Sequence, residues 1–202
     1  MARGKPTPRL PVTPRGEATR RRLLRSAERL FGAKGYFQTS VVDITQRARV
    51  AQGTFYLYFP GKEGVLRELV GHLGRELRRT IRQATAGLTD RPGIERTGMR
   101  TFLDFIAAHR DLYKIVRESE FVDPQLSIAY YRKIAEGYAA GLAEAARAGQ
   151  IRTYDPEALA YCLMGVAHMV GLRWVVWEGR QPPEQALTTM LEFISAGLAP
   201  PP

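Results

Sequence analysis

One cysteine, three histidines and no unbroken apolar run of membrane-spanning length are what this chain of 202 residues has little of. Cys162 has no second cysteine to pair with, which excludes an intrachain disulfide and a Cys-x-x-Cys metal knuckle and points to a reduced, cytoplasmic setting. His72, His109 and His168 are widely separated and no His-Glu-x-x-His occurs, so neither a metal nor a cofactor is expected. His168, beside Met169 and Val170, reads as a core residue. Glu118 and Glu120 stand two apart on a helix and face different ways, so paired carboxylates for acid–base work are missing as well. With no activated nucleophile in view, the chain is not expected to be an enzyme. Its longest nearly apolar stretch, 158–172, is broken by His168 and is shorter than the roughly 18 residues of a membrane span. Residues 1–13 carry prolines and basic groups but no apolar segment, unlike a secretory signal, and no membrane partner is expected.

Charge of one sign is scarce in the first third. Residues 1–62 hold 13 Lys/Arg against 3 Asp/Glu, whereas residues 63–202 hold 17 of each, so the whole formal net charge of +10 lies in the N-terminal segment. A local excess of that size suits a polyanion, because each neutralised phosphate releases condensed counterions. The 45% hydrophobic and 25% charged composition fits a packed globular chain.

What is present is helical spacing, with no sustained period-two alternation between hairpin turns, and an all-α fold of about nine helices follows. The first is expected from about Pro14 to Ala33, ended by Gly32 and Gly35. Thr39 and Ser40 offer capping hydroxyls, with Asp43 three residues beyond Ser40, for a second helix over 41–48. A third, about 51–58, is closed by Phe59-Pro60-Gly61, and a long helix runs from Lys62 to about Ala86. Breaks rich in Gly, Asp and Pro divide the remainder into helices near 94–108, 110–120, 124–148, 155–178 and 183–198. The expected organisation is a disordered basic arm over 1–13, three short helices over 14–61, and the longer helices over 62–202. Pro200–Pro202 reads as a frayed tail.

Two short helices behind a basic first helix form the layout of a helix-turn-helix. Ile44, Ala48, Val50 and Phe55 are placed to pack the pair, leaving Gln52, Thr54, Tyr56 and Tyr58 on the other side. The run Asp43-Ile44-Thr45-Gln46-Arg47-Ala48, then Val50-Ala51-Gln52-Gly53-Thr54-Phe55-Tyr56-Leu57-Tyr58-Phe59, then Lys62-Glu63 with Leu66, closely resembles the DNA-binding signature of TetR-family repressors. The resemblance covers about residues 16–76; beyond that it rests on length and helix count. It implies a helix-turn-helix DNA-binding domain over 14–61, a ligand-binding and dimerisation domain over 62–202 built from the later helices, a homodimer on double-stranded operator DNA, and no catalysis. It also implies roles for individual residues. Gln52 and Thr54 face base edges, a Gln amide matching adenine and a Thr methyl touching thymine. Thr39, Gly53, Tyr56, Tyr58 and Lys62 position the phosphates. Two departures stand out. Arg49 occupies a turn position that is commonly Gly in the family, where positive φ costs a side-chain-bearing residue about 1 kcal/mol, and Ala51 replaces a capping Ser or Thr.

The later helices carry Phe102, Leu103, Phe105, Ile106, Tyr113, Ile128, Tyr131, Ile134, Tyr138 and Met164, mostly core by their spacing, with basic residues between them. The stretch His109–Glu120 and Tyr130-Tyr131-Arg132-Lys133 also resembles the ligand domain of family members that answer to acyl-CoA thioesters. The implied ligand set is Phe102, Ile106, Tyr113, Tyr131 and Tyr138 around an acyl tail and Arg110, Lys114, Arg117, Arg132 and Lys133 at the mouth. Free fatty acids, aromatic compounds and lipophilic drugs remain as other effectors, and a constitutive architectural DNA-binding protein as another class. Leu159, Leu163, Val166, Val170, Trp174 and Trp177 extend an apolar stripe expected to form the dimer interface.

Overall fold

The computed structural model describes residues 13–200, and among these the chain is all helical. The expected arm therefore lies outside the described residues except for Thr13, as do Pro201 and Pro202 of the tail. Nine α-helices are described: α1 Pro14–Lys34, α2 Val41–Ala48, α3 Gln52–Tyr58, α4 Lys62–Ala84, α5 Arg91–Ala108, α6 Arg110–Val122, α7 Pro124–Arg147, α8 Pro156–Val170 and α9 Glu184–Leu198. A π-helical segment, Gly171–Glu178, continues α8 without a break.

The chain divides into two compact units. The first contains the residues up to Leu73 together with Asp111–Ile128; the second contains Gly74–Arg110 and the residues from Ala129 onward. In the first unit, Leu23, Ala27 and Phe31 of α1, Ile44 and Ala48 of α2, Phe55 of α3, and Val65, Leu66, Leu69 and Val70 of α4 are buried together with Leu112, Tyr113, Ile115 and Val116 of α6. Helix α1 begins where the Thr13 hydroxyl accepts the Gly16 amide at 3.1 Å, with Pro14 supplying a first-turn residue that has no amide to satisfy. It ends at Gly35, at φ +87°, rather than at Gly32. Gly32 stays helical and serves a different purpose. A Cβ there would stand 2.4 Å from Cβ of Asp111, so the missing side chain is what lets α6 lie against α1.

In the second unit, Met99, Leu103, Phe105 and Ile106 of α5 are buried with Ala135 and Leu142 of α7, Ala160 and Leu163 of α8, Val175 and Val176 of the π segment, and Leu187, Met190 and Ile194 of α9. Helix α5 starts three residues before the expected 94. Asp90 caps it by accepting the Gly93 amide at 2.7 Å, and Pro92 sits in the first turn, where its missing donor costs nothing. Asp155 caps α8 in the same way through Ala158. Pro156–Glu178 forms 23 continuous helical residues that are long and apolar enough, by length and composition, to cross a membrane, with 39% of the most apolar window buried. The helix is the one expected near 155–178, and the nearly apolar stretch 158–172 lies within it.

Candidate nucleic-acid interface

The basic end of the first unit is held by short-range caps. Ser40 and Asp43 form a capping box: the Asp43 amide donates to Ser40 Oγ at 3.1 Å and the Ser40 amide donates to Asp43 Oδ2 at 2.8 Å. Lys34 adds an ion pair to the same carboxylate at 2.9 Å. The backbone hydrogen bond from Ser40, with Lys34 beside it, holds the Asp43 carboxyl well below the usual carboxylate range. Of the two candidate capping hydroxyls, Ser40 is the one used. Thr39 is buried, its hydroxyl donating to the Gly35 carbonyl at 2.8 Å.

The turn between α2 and α3 is built on a strained residue. Arg49 stands at φ 54° and ψ 52°, the only described non-glycine residue with positive φ. Its amide donates to the Gln46 carbonyl at 3.1 Å and the Val50 amide to the Thr45 carbonyl at 3.1 Å, which together make a Schellman motif. The side-chain-bearing residue at this left-handed position changes no hydrogen bond, so the turn keeps the geometry a glycine would give. Helix α3 then begins at Gln52, with Ala51 at the N-cap offering no side-chain hydrogen bond, as its residue type dictates.

Seven residues of α3 divide cleanly by side. Phe55 is fully buried, its ring 5.6 Å from that of the buried Phe59, and Ile44 and Ala48 of α2 are buried as well. Gln52 and Gly53 are exposed and Thr54 is half-buried. Tyr56 is 37% exposed, Tyr58 is half-buried and Leu57 is 60% exposed. Gly53 has open space where a Cβ would be, so it imposes no close approach within the protein. Leu57 was not singled out from sequence because it reads as apolar. The alternation with Phe55 and Phe59 could have identified it, since a helix this short cannot bury residues on both sides.

Lys62 and Arg20 are placed otherwise than a basic face would suggest. Lys62 Nζ donates to the carbonyls of Tyr36 and Thr39, each at 3.0 Å, and lies 4.3 Å from the Tyr36 ring centre. Burial lowers its pKa, partly offset by Glu63. Arg20 forms a two-pronged ion pair with Glu68 and stacks over Phe59 at 5.2 Å.

The residues expected around a ligand do not fall in one unit. Tyr113, Lys114 and Arg117 lie in the first; Phe102, Ile106, Arg110, Tyr131, Arg132, Lys133 and Tyr138 lie in the second. Tyr113 is buried, and Lys114 pairs with Asp111 at 3.3 Å. In the second unit, Ile106 and Phe102 meet Gly171 at the start of the π segment, and Tyr131 faces His168 edge-on at 6.4 Å. Arg110 donates to the Val176 carbonyl, Lys133 pairs with Glu136 at 2.8 Å, and Arg132 is exposed. Tyr138 donates to the Glu95 carboxylate, which Arg91 also holds. Burial, and then the Glu95 carboxylate, raise the Tyr138 pKa well above its ordinary value. An open depression of about 290 Å³ between α5 and α9 is lined by Arg96, Arg100, Thr188, Leu191, Glu192 and Ser195, none of them in the expected set.

On α8 and its π continuation, Leu163 faces the core of its own unit, which differs from the expected interface role. Leu159, Val166, Val170 and Trp174 are half-buried and Trp177 is 57% exposed. Tyr161, Met169 and, from α9, Phe193 are exposed apolar residues absent from the expected stripe.

Residues 23–69, which contain this helix-turn-helix, match the family described as bacterial regulatory proteins, tetR family. This helix-turn-helix segment is thus of the tetR-family kind. The chain is 25% identical over 195 residues to YdgC, an uncharacterized HTH-type transcriptional regulator of Bacillus subtilis, a match covering 92% of this chain and 95% of that protein. It is 32% identical over 119 residues to the HTH-type transcriptional regulator EthR of Mycobacterium tuberculosis, covering 54% of this chain and half of EthR. It shares its fold with the transcriptional regulator FadR of Bacillus subtilis, solved in complex with stearoyl-CoA, at a TM-score of 0.76 and 20% identity over 88% of this chain and 98% of FadR.

Proposed function

We propose that this chain is a cytoplasmic TetR-family transcriptional repressor that binds an inverted-repeat operator as a homodimer and is released by a small effector. One observation carries the DNA reading. Helix α3 buries Phe55 and turns Gln52, Thr54, Tyr56 and Leu57 outward at the end of a chain segment that holds the whole positive excess. In this reading Gln52 and Thr54 read base edges, Leu57 touches a thymine methyl, and Gly53, Tyr56 and Tyr58 meet phosphates. Lys62 and Thr39, engaged with backbone carbonyls, support the turn from within.

The homodimer uses the face of α8, its π continuation and α9, where Tyr161, Met169, Trp177 and Phe193 leave apolar surface without cover in a single chain. Two-fold pairing then places two copies of α3 in successive major grooves about 34–36 Å apart, or a multiple of that spacing.

For the effector, the likeness in fold to a regulator solved with stearoyl-CoA supports a medium- or long-chain acyl-CoA thioester. Phe102, Ile106 and Tyr131 suit an acyl chain and Arg132 a phosphate, with Arg110, Lys133 and Tyr138 able to serve only by exchanging the partners they now hold. Gel shift of the duplex that the protein enriches from a random library tests both parts. Release by palmitoyl-CoA at low micromolar concentration, with little release by palmitate or coenzyme A alone, is the expected result. Release by an uncharged aromatic compound and not by the thioester overturns the effector assignment; failure to enrich any duplex overturns the repressor.

A further inference from the structure

The loop between α1 and α2 is gripped from two helices that lie far away in sequence. The Tyr36 amide donates to Glu118 Oε2 of α6 at 2.6 Å. The carbonyl of the same residue accepts from Lys62 Nζ of α4 at 3.0 Å, and Lys62 reaches on to Thr39, the residue just before the α2 cap Ser40. A single peptide segment is thus pinned by a carboxylate on its donor side and an ammonium on its acceptor side. Hydrogen bonds to ionised groups are the strong class, and both of these act on backbone, whose position does not depend on a rotamer. Gly35 leaves the room for it: a Cβ there would stand 3.0 Å from Glu118 Oε1.

Helices α1 and α2 pack on one another and are tied by the Lys34–Asp43 ion pair, and the loop that joins them is held separately by α4 and α6. Lys34 is the last residue of α1 and Ser40 caps α2, so the five residues in between, which Glu118 and Lys62 hold, contribute to where α2, and with it α3, is presented. We propose that Glu118 is a positioning residue for DNA recognition: through the Tyr36 amide, and opposite Lys62, it sets the height and tilt of the helix-turn-helix against DNA. This rests on the DNA-binding reading given above. It makes α6 part of the reading head, although α6 lies outside the helix-turn-helix itself.

The sign of the effect separates this role from simple electrostatics. Glu118 is an anionic side chain in a unit that must approach phosphates, so Coulomb repulsion alone makes its removal tighten DNA binding. Loss of a positioning contact does the reverse. The experiment compares full-length wild type, Glu118→Ala and Glu118→Gln on two duplexes, the one enriched by wild type from a random library and a scrambled version of it, with amide exchange followed at Tyr36 in the DNA-free protein. Glu118→Ala is expected to weaken the enriched duplex by about tenfold, to leave the scrambled duplex nearly unchanged, and to speed exchange at Tyr36. Glu118→Gln, which keeps an acceptor oxygen, is expected to restore most of both. Unchanged or tighter binding by Glu118→Ala overturns the proposal. So does an equal loss on both duplexes that follows a fall in melting temperature, which is the mark of a purely structural residue. Because exchange at Tyr36 is read without DNA, slow exchange in Glu118→Ala refutes the brace itself even if the DNA-binding reading fails.

Discussion

Arg91 and Glu95 form an ion pair one helical turn apart on α5 in which both side chains are almost completely buried, Arg91 Nε lying 2.7 Å from Glu95 Oε1. Tyr138 donates to the same carboxylate, and the Arg91 backbone amide donates to Gln150 at 3.0 Å. No buried polar side-chain atom here lacks a partner among the described residues. Removing one member of such a pair strands the other, at a cost of about 3–5 kcal/mol. Glu95→Ala is therefore expected to lower stability in urea by that amount, whereas the double change Arg91→Met with Glu95→Leu costs far less. Equal losses in the two variants contradict the account.

Gly32→Ala pits helix propensity against a collision. Alanine gains about 1 kcal/mol over glycine inside a helix, but the new Cβ meets Cβ and Cγ of Asp111 at 2.4 and 2.6 Å, atoms near the α6 backbone that cannot swing away. Net destabilisation of about 1–2 kcal/mol is expected. Asp111→Gly, in the same molecule, should recover most of it. A stabilised Gly32→Ala protein rules out the close approach of α1 and α6.

Arg49→Gly relieves the left-handed turn and is expected to stabilise the protein by about 1 kcal/mol, visible as a higher urea midpoint. The same change removes a cation near the DNA-facing end, so affinity for the scrambled duplex should fall slightly while stability rises. The two readouts moving in opposite directions is the outcome to look for.

Gln52→Ala is expected to relax preference at one base position, with a loss of about 1–3 kcal/mol on the matched duplex only. Lys62→Ala, by contrast, leaves the carbonyls of Tyr36 and Thr39 without their ammonium donor, and its main effect is expected on melting temperature rather than on the salt dependence of binding. A drop of one unit in the salt slope with an unchanged melting temperature returns Lys62 to the phosphate.

Alkaline pH gives an independent probe of the same loop. Burial, and then Glu63, push the Tyr36 hydroxyl from 10.0 up to about 12. A pKa raised in the folded state favours the neutral phenol, so this contribution is complete below pH 10 and is lost as pH climbs from about 10 to about 12. Tyr36→Phe is expected to flatten the stability profile over that window. An unchanged profile excludes Tyr36 as its source.

Local signals made much of the fold readable. The bounds of α2 are those the caps at Ser40 and Asp43 imply, and α1, α3, α4, α7 and α9 end within about two residues of their expected limits. The positive φ at Arg49 was foreseeable because the turn geometry belongs to the motif and the residue merely occupies it. Pro92 was misread as a break because a first-turn proline and a helix-ending proline look alike until the Asp90 cap is seen. Glu118 could not be found at all. Its partner Tyr36 is 82 residues away, and no periodicity or motif records a contact at that separation. The role of Lys62 was hidden for the same reason, since its acceptors are 23 to 26 residues upstream and are backbone atoms that any sequence would supply.

The discontinuity of the first unit has an outcome for biosynthesis. Its helix-turn-helix is complete in sequence by Leu73, yet the segment that closes its core and pins the Tyr36 turn, Asp111–Ile128, follows only after Gly74–Arg110 has been made. At elongation rates of about 5–20 residues per second, the nascent chain carries a basic, unsealed head for several seconds while part of its core has yet to be made. Leu112, Ile115 and Val116 are the side chains that it waits for. A ribosome stalled before residue 111 thus displays an incomplete head whatever the quality of its local caps, and only after residue 128 has left the tunnel are all the parts of its core present.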